Sequence, residues 1–525
     1  MKRFLLATDY PNLTELRIFH FGKELALDYL INEPSLRSIF QEQITTLTLI
    51  NDDEEDMIGL LKEYTANVYT QILTFFKNLK ELSIMGPSPI QMYPSLSLRY
   101  LPSTTFSSPI LTHLYINVTT LDDCLCLLDG RLRKLTTLCV NVHHMDIFSN
   151  SVHNMDKLFN LKYFSLKSFD RFKQYDKILS LIRRMPYLEK LTLYLHIKGR
   201  NTVIDGTFIQ HDILDYMPQL HSFTFCICTY VKAVDLSYKL SSEDIQQTLT
   251  NTKQQQVTSI VNYIQYWFDS SWMAACSIFS LPFQFDYLKH LGNKFPNIVF
   301  SYVTFLFVED TNPFQHEFFV RISRSFPLLK YLHICNGEPQ VLDDLVICSS
   351  DNCQLHSIIE YHHLTKLDMI NAHRDYVEQF LNETKAFVPC LTELEVSVRH
   401  LEAVTKNFTI KETRRNCVNV KQIDTLGELT RRLDYITNVP LPDEVAHKAI
   451  LNNVLKELPV QEQDIPCSLI NETRDYGGTL IKIIKYANKL AQQHSTEDDT
   501  PAEVHEHHFN RAMLFFKESL RYPID

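Results

Sequence analysis

Leucine and its close relatives recur along most of the chain before about residue 400 in one phrase, apolar at positions i, i+3 and i+5. The clearest copies are Leu13, Leu16 and Ile18; Ile44, Leu47 and Leu49; Leu79, Leu82 and Ile84; Leu111, Leu114 and Ile116; and Leu135, Leu138 and Val140. Others are Leu161, Phe164 and Leu166; Leu188, Leu191 and Leu193; Leu220, Phe223 and Phe225; Leu329, Leu332 and Ile334; Leu364, Leu367 and Met369; and Leu391, Leu394 and Val396. The last two apolar positions lie two apart, so they share one face of an extended strand while the residue between them faces the other way. A lead-in of Pro-x-Leu or Asn-Leu precedes most copies, and the copies return roughly every 24 to 35 residues, overlapping and slightly exceeding a leucine-rich repeat.

Between the copies the apolar spacing turns helical. Tyr175 to Arg184 carries such a stripe and stops just before Met185-Pro186, where a proline disfavours further helix. A short strand and a helix each have one apolar face that neither hides alone, so stacked repeats are the expected solution. The expected fold class is α/β, a leucine-rich-repeat solenoid with a curved parallel sheet inside and helices outside, followed by a small all-α domain. The expected division is a solenoid over 1–415 with an irregular insertion around 230–300, a linker over 416–431 and a helical domain over 432–525. Within the interval Cys226 to Phe326 only Val303, Phe305 and Phe307 suggest a strand. Glu243 to Gln256 is polar and reads as an exposed insertion, and Tyr263 to Phe285 as a buried aromatic stretch.

The stretch Leu127-Leu128-Asp129-Gly130-Arg131-Leu132 before Leu135-Thr136-Thr137-Leu138 resembles the large, divergent F-box leucine-rich-repeat proteins. So does Pro313-Phe314-Gln315-His316-Glu317-Phe318-Phe319 before Ser325-Phe326-Pro327. The resemblance implies a substrate receptor in ubiquitin ligation. Such proteins usually begin with an F-box; here the first repeat copy follows closely on Met1, so that module is expected to be missing or to lie outside this sequence. The Asn or Cys common after the third apolar position is replaced by Phe21, Pro87, Thr119, His143 and His196, so irregular turns are expected.

Past residue 430 the pattern carries three helical stripes, and the acidic, polar stretch Gln492 to Pro501 reads as a loop between them. Ile450, Leu451, Val454, Leu455 and Leu458 form a stripe behind Pro442-Asp443-Glu444, which suits a helix start through its fixed backbone angle and its negative charge. Leu480, Ile483, Ile484, Ala487, Leu490 and Ala491 form a second stripe, and Phe509, Ala512, Met513, Phe516 and Leu520 a third. Three blocks here are similar to the lid of the second ATPase ring of the valosin-containing AAA+ family. They are RLDYITNVPLPDEVAHKAIL, with Arg432, Asp434, Pro440, Pro442, Asp443 and Glu444; Gly477 through Lys489-Leu490-Ala491; and His508-Phe509 with Ala512-Met513, Phe515 and Ser519. The resemblance implies an AAA+ lid, but Leu429-Thr430-Arg431 stands where the family has Arg-Pro-Gly, against an arginine-finger role.

Nucleotide chemistry needs a glycine-rich loop whose amides cradle phosphate, with a lysine and a hydroxyl at its end. The lone Gly22-Lys23 pair is followed by Glu24, and Asn51-Asp52-Asp53 has no such loop before it. No catalytic residue, cofactor or metal is therefore expected. Cys124 with Cys126, and Cys348 with Cys353, lack a matching second pair for zinc, and the scattered cysteines read as reduced core thiols.

Net charge is −11 and 45% of residues are hydrophobic, which suits a folded chain and argues against nucleic acid as the ligand. No apolar run reaches the ~18 residues of a membrane span. A cytoplasmic or nuclear location follows as the expectation. The expected function is protein recognition on the concave face, through residues between the strand leucines: Arg17, Tyr115, Thr192, Thr224 and His333. Expected partners are proteins, with ubiquitin-ligase or AAA+ segregase components as family candidates. Two rivals stand: an ATPase, by the lid alone, and a fusion of two unrelated coding segments.

Overall fold

The computed structural model describes residues 12–19, 34–50, 70–85, 98, 104, 106–144, 156–236, 239–249, 256–265, 272–340, 358–406, 409 and 411–424. The chain divides into two compact units, Met1–Gly427 and Glu428–Asp525, and the described residues all belong to the first.

That unit is mixed α/β with a large, mostly parallel sheet. Eight strands run parallel and pair in sequence order: β1 (Glu15–Ile18), β2 (Thr46–Ile50), β3 (Glu81–Met85), β4 (His113–Thr120), β5 (Thr137–His144), β6 (Tyr163–Phe172), β7 (Lys190–Ile197) and β8 (Ser222–Lys232). Two antiparallel strands complete this sheet, β10 (Trp272–Ser280) beside β8 and β9 (Val257–Gln265) at the edge. A second sheet holds β11 (Tyr287–Leu291), β12 (Phe305–Glu309), β13 (Tyr331–Cys335), β15 (Lys366–Asp368), β17 (Glu393–Glu395) and β18 (Gln422–Asp424), all parallel. The short strands β14 (Ile359–Glu360) and β16 (Ala386–Phe387) form a separate pair.

The repeat phrase sets the register. Leu16, Leu47, Leu82, Leu114, Leu138, Phe164, Leu191 and Phe223 pair in one row across β1 to β8. The third apolar position of each copy forms a parallel row from Ile18 to Phe225. A one-residue slip would turn both rows to the opposite face, so burial holds the register firmly. Helices supply the facing layer: Tyr175–Ile182 buries Tyr175, Ile178, Leu179, Leu181 and Ile182 within the same apolar cluster. Helix Leu121–Leu127 starts on a reciprocal cap, in which Asp123 accepts from the Thr120 amide and Thr120 from the Asp123 amide.

The lead-in residues have a bonding role that apolar spacing does not show. Asn78, Asn160 and Asn419 each donate through Nδ2 to a carbonyl of the preceding repeat, that of Glu42 at 2.7 Å, Arg133 at 2.8 Å and Pro389 at 2.8 Å. At the strand entrances, the hydroxyls of Thr112, Thr136, Thr365 and Thr392 donate to carbonyls of Lys80, Thr112, Lys330 and Thr365. Two consecutive amides converge on each of those same oxygens. These bonds tie neighbouring turns where the Asn or Cys ladder is lacking.

The interval from Cys226 to Phe326 departs from expectation. Beyond the strand at Phe305–Glu309 it holds the long hairpin β9–β10 and strand β11. Strand β10 reads as buried along nearly its whole length, so alternation is lost and the pattern says nothing of direction. Part of the polar stretch expected as an exposed insertion is helix Ser242–Thr248, capped by Ser241 and Asp244 and anchored by buried Ile245. The parallel sheet is thus interrupted rather than continuous. Among the described residues no helix is long and apolar enough to cross a membrane.

Leu191→Ala, at a fully buried row position, is expected to cost about 2–5 kcal/mol in urea unfolding. Asn160→Ala, which removes one inter-repeat bond, should cost roughly 1 kcal/mol, and Ser180→Ala on the exposed helix face less than about 0.5 kcal/mol.

Candidate functional site

Each strand of the parallel array turns its leucines toward the helices and the intervening residues to the opposite face. Arg17, Thr48, Ser83, Tyr115, Cys139, Ser165, Thr192 and Thr224 pair in a single row across β1 to β8. Four of the five candidate contact residues therefore share one line of the sheet. Arg17 is exposed and paired with Glu15 at 2.6 Å. Tyr115 is half-buried, and burial raises its hydroxyl above the ordinary tyrosine value. Thr192 and Thr224 are only 8% and 9% exposed, so they offer little surface to a partner.

The fifth, His333, lies in the second sheet on the row Phe307, His333, Asp368, Glu395 and Asp424. Its Nδ1 is 2.7 Å from Asp368 Oδ2, with the side chains 22% and 8% exposed. Burial works to raise the Asp368 carboxyl, yet the His333 hydrogen bond and charge outweigh it and leave it below its ordinary value. The Tyr331 hydroxyl also donates to Asp368, and Lys366 bridges Glu393 and Glu395. The row is thus polar, half-exposed and internally paired.

A second polar group was not visible in the sequence. It sits where the two sheets meet. Strand β6 has a register shift between Lys167 and Arg171, and β11 one between Leu288 and Leu291, where His290 takes φ 57°. A non-glycine residue in the left-handed region is uncommon and is held there by its surroundings. Arg171 reaches from β6 to place Nη2 3.2 Å from His290 Nε2, and its guanidinium lies 4.0 Å from the centre of the Tyr230 ring. His290 Nδ1 is 2.7 Å from Glu309 Oε2. Arginine only donates, so His290 Nε2 accepts, and the proton sits on Nδ1 and is donated to Glu309. Asn262 on β9 donates to the carbonyls of both His290 and Glu309.

Beside this trio, His196 Nδ1 is 2.8 Å from the Tyr230 hydroxyl, while its buried Nε2 has no partner among the described residues. Burial governs the titration of the whole group. It pushes His196 and His290 well below the usual histidine value, Glu309 up to about 7, and Lys289 down to about 8. Nothing in strand alternation marks these residues, because they converge from β6, β7, β8, β9, β11 and β12.

No cluster of three or more His, Cys, Asp or Glu suited to a metal occurs among the described residues. Burial pushes the thiols of Cys124 and Cys139 up to about 12 and about 11, so neither is a ready nucleophile at neutral pH. A cavity of about 230 Å³, lined mainly by Leu127, Leu128, Leu132, Leu135 and Leu158, shares no residue with either polar group. The lid residues Arg432, Asp434, Pro440, Pro442, Asp443, Glu444, Gly477, His508 and Phe509 lie outside the described residues. So do Gly22, Lys23, Glu24, Asn51, Asp52, Asp53, Cys348 and Cys353.

No protein-family model matches the chain, and no curated protein matches it. Among solved structures it is similar to a crystal structure of a protein from Bacteroides fragilis. The identity is 12% and the TM-score 0.20, over 66% of this chain and 70% of that one.

Glu309 favours its protonated form when folded, so its contribution to stability is complete below about pH 4.5 and is lost as pH rises through about 7. The stability of the wild type relative to Glu309→Gln should therefore fall by roughly 2–3 kcal/mol between pH 5 and pH 8 in urea titrations.

Proposed function

We propose that this chain is a non-catalytic recognition protein, a leucine-rich-repeat solenoid that binds a partner protein on the sheet face opposite its helices. The observation that carries this reading is the polar row from Arg17 to Thr224, which runs unbroken across eight parallel strands. A row of this kind presents side chains from many repeats at regular intervals to one extended ligand, as stacked-repeat proteins do. Arg17 and Tyr115 are the accessible members on which contact would centre, Thr192 and Thr224 would shape the surface from beneath, and His333 would add a contact on the second sheet. The net charge of −11 favours a protein over a nucleic acid as the partner.

The family resemblances extend the proposal. As an F-box-type repeat protein the chain would be a substrate receptor in ubiquitin-dependent turnover. The lid-like segment from Arg432 would then be a docking module toward AAA+ segregase components, without nucleotide chemistry of its own. Steady ATP turnover by the pure full-length chain, abolished by substitution in that segment, would replace this reading with an ATPase.

The double variant Arg17→Ala, Tyr115→Ala should retain the wild-type melting temperature within a few degrees. It should lose at least about tenfold in affinity for proteins that crosslink to the wild type in cells, measured with the purified pairs. Unchanged affinity in this variant, together with loss in the helix-face variant Lys177→Ala, Ser180→Arg, would place recognition on the other side of the molecule.

A further inference from the structure

We propose that the meeting point of the two sheets is an acid-operated latch, closed while neutral His290 accepts a hydrogen bond from Arg171 and released when His290 takes up a proton. The inference goes beyond partner recognition and does not depend on what the sheet face binds.

The geometry comes first. Among the described residues no ladder of strand pairing joins the two sheets. The polar bonds that cross between them are the Arg171 to His290 bond and the two bonds from Asn262 to the carbonyls of His290 and Glu309; beside them run ring contacts of Tyr194 with Phe285 and Tyr287 and of Tyr230 with His290, and an apolar cluster that joins Ile260 and Phe279 to Leu288 and Phe305. Both strands that carry the Arg171 to His290 bond are interrupted at that point, β6 by its register shift and β11 by the left-handed His290. Ladder bonds are thus lost on either side of the junction, where side chains must hold the backbone.

The chemistry gives the direction. Nε2 of a neutral imidazole accepts, whereas an imidazolium turns a second N–H toward the guanidinium and repels it. The groups facing His290 are Arg171 from β6, the Tyr230 ring from β8, Lys289 on its own strand, Glu309 from β12 and His333 from β13. Glu309 is the carboxylate in contact with it, and Asp310 adds a like charge beside Glu309. As pH falls, Glu309 takes its proton at about 7, before His290, which burial holds well below 6.5. When His290 finally protonates, the carboxylate it touches is already neutral, and the imidazolium faces the Arg171 guanidinium without a counter-charge. The latch is therefore closed at neutral pH and opens only well below pH 6.5.

Hydrogen exchange of the full chain near pH 7.5 and near pH 4.5, corrected for intrinsic rates, tests this. Amides of β11 and β12 should lose protection at least about tenfold at the lower pH, while those of β4 and β5 change by less than about twofold. His290→Asn keeps a donor, an acceptor and tolerance of the left-handed backbone but does not titrate, so it should remain protected at both pH values. Arg171→Met removes the donor and should show reduced protection in β11 already at neutral pH, with no further acid step. The proposal is overturned if the wild type stays protected at pH 4.5, if all strands open together, or if either variant shows the same acid step as the wild type.

Discussion

A strand of five residues with one apolar face cannot stand alone in water, and neither can the helix that returns from it. Everything in this protein follows from how that shared insufficiency is met. Each copy of the repeat phrase places two apolar side chains on one face, and the next copy places two more beside them in register, from Leu16 and Ile18 to Phe223 and Phe225. The helices close the same layer, so Ile178, Leu181 and Ile182 lie in one cluster with Leu166, Leu191 and Leu193. Because the side-chain period of a strand is two, the same alternation that buries leucines delivers the intervening residues as a polar row on the opposite face.

Apolar contact between repeats is not directional, and the polar lead-ins supply direction. The Asn78, Asn160 and Asn419 amides, and the threonine hydroxyls at the strand entrances, bond carbonyls of the preceding turn. The oxygens the threonines bond already accept two backbone amides each, so the hydroxyls reinforce a link that the backbone itself makes between turns. The same residues that read as punctuation in the sequence therefore act as rungs between neighbouring units.

At the junction the logic of the array is suspended. Strand direction reverses in β10, β6 and β11 each shift register, and Arg171, His290 and Glu309 come together. Polar side chains stay buried there because they bond one another: Arg171 with His290, His290 with Glu309, and Tyr230 with His196. The result is a site whose titration is governed by burial, set inside a scaffold otherwise governed by apolar packing.

The amino-acid sequence by itself marked the strands β1 to β8, β12, β13, β15 and β17, the helices between several of them and the two faces of each strand. Those features rest on local periodicity, which any strand or helix must show in order to bury one side. It also marked Arg17, Tyr115, Thr192, Thr224 and His333 as lying opposite the leucines of their own strands, since alternation carries that information. Only the tertiary structure decided that the sheet is two sheets, that Thr192 and Thr224 are nearly buried, and that Arg171, His196, Asn262, His290 and Glu309 meet. These residues stand up to 138 positions apart (309 − 171), and contacts between distant side chains leave no period in the chain. They are set by where the reversed strand β10 and the shifted ladders bring the backbone, and that is a property of the assembled fold.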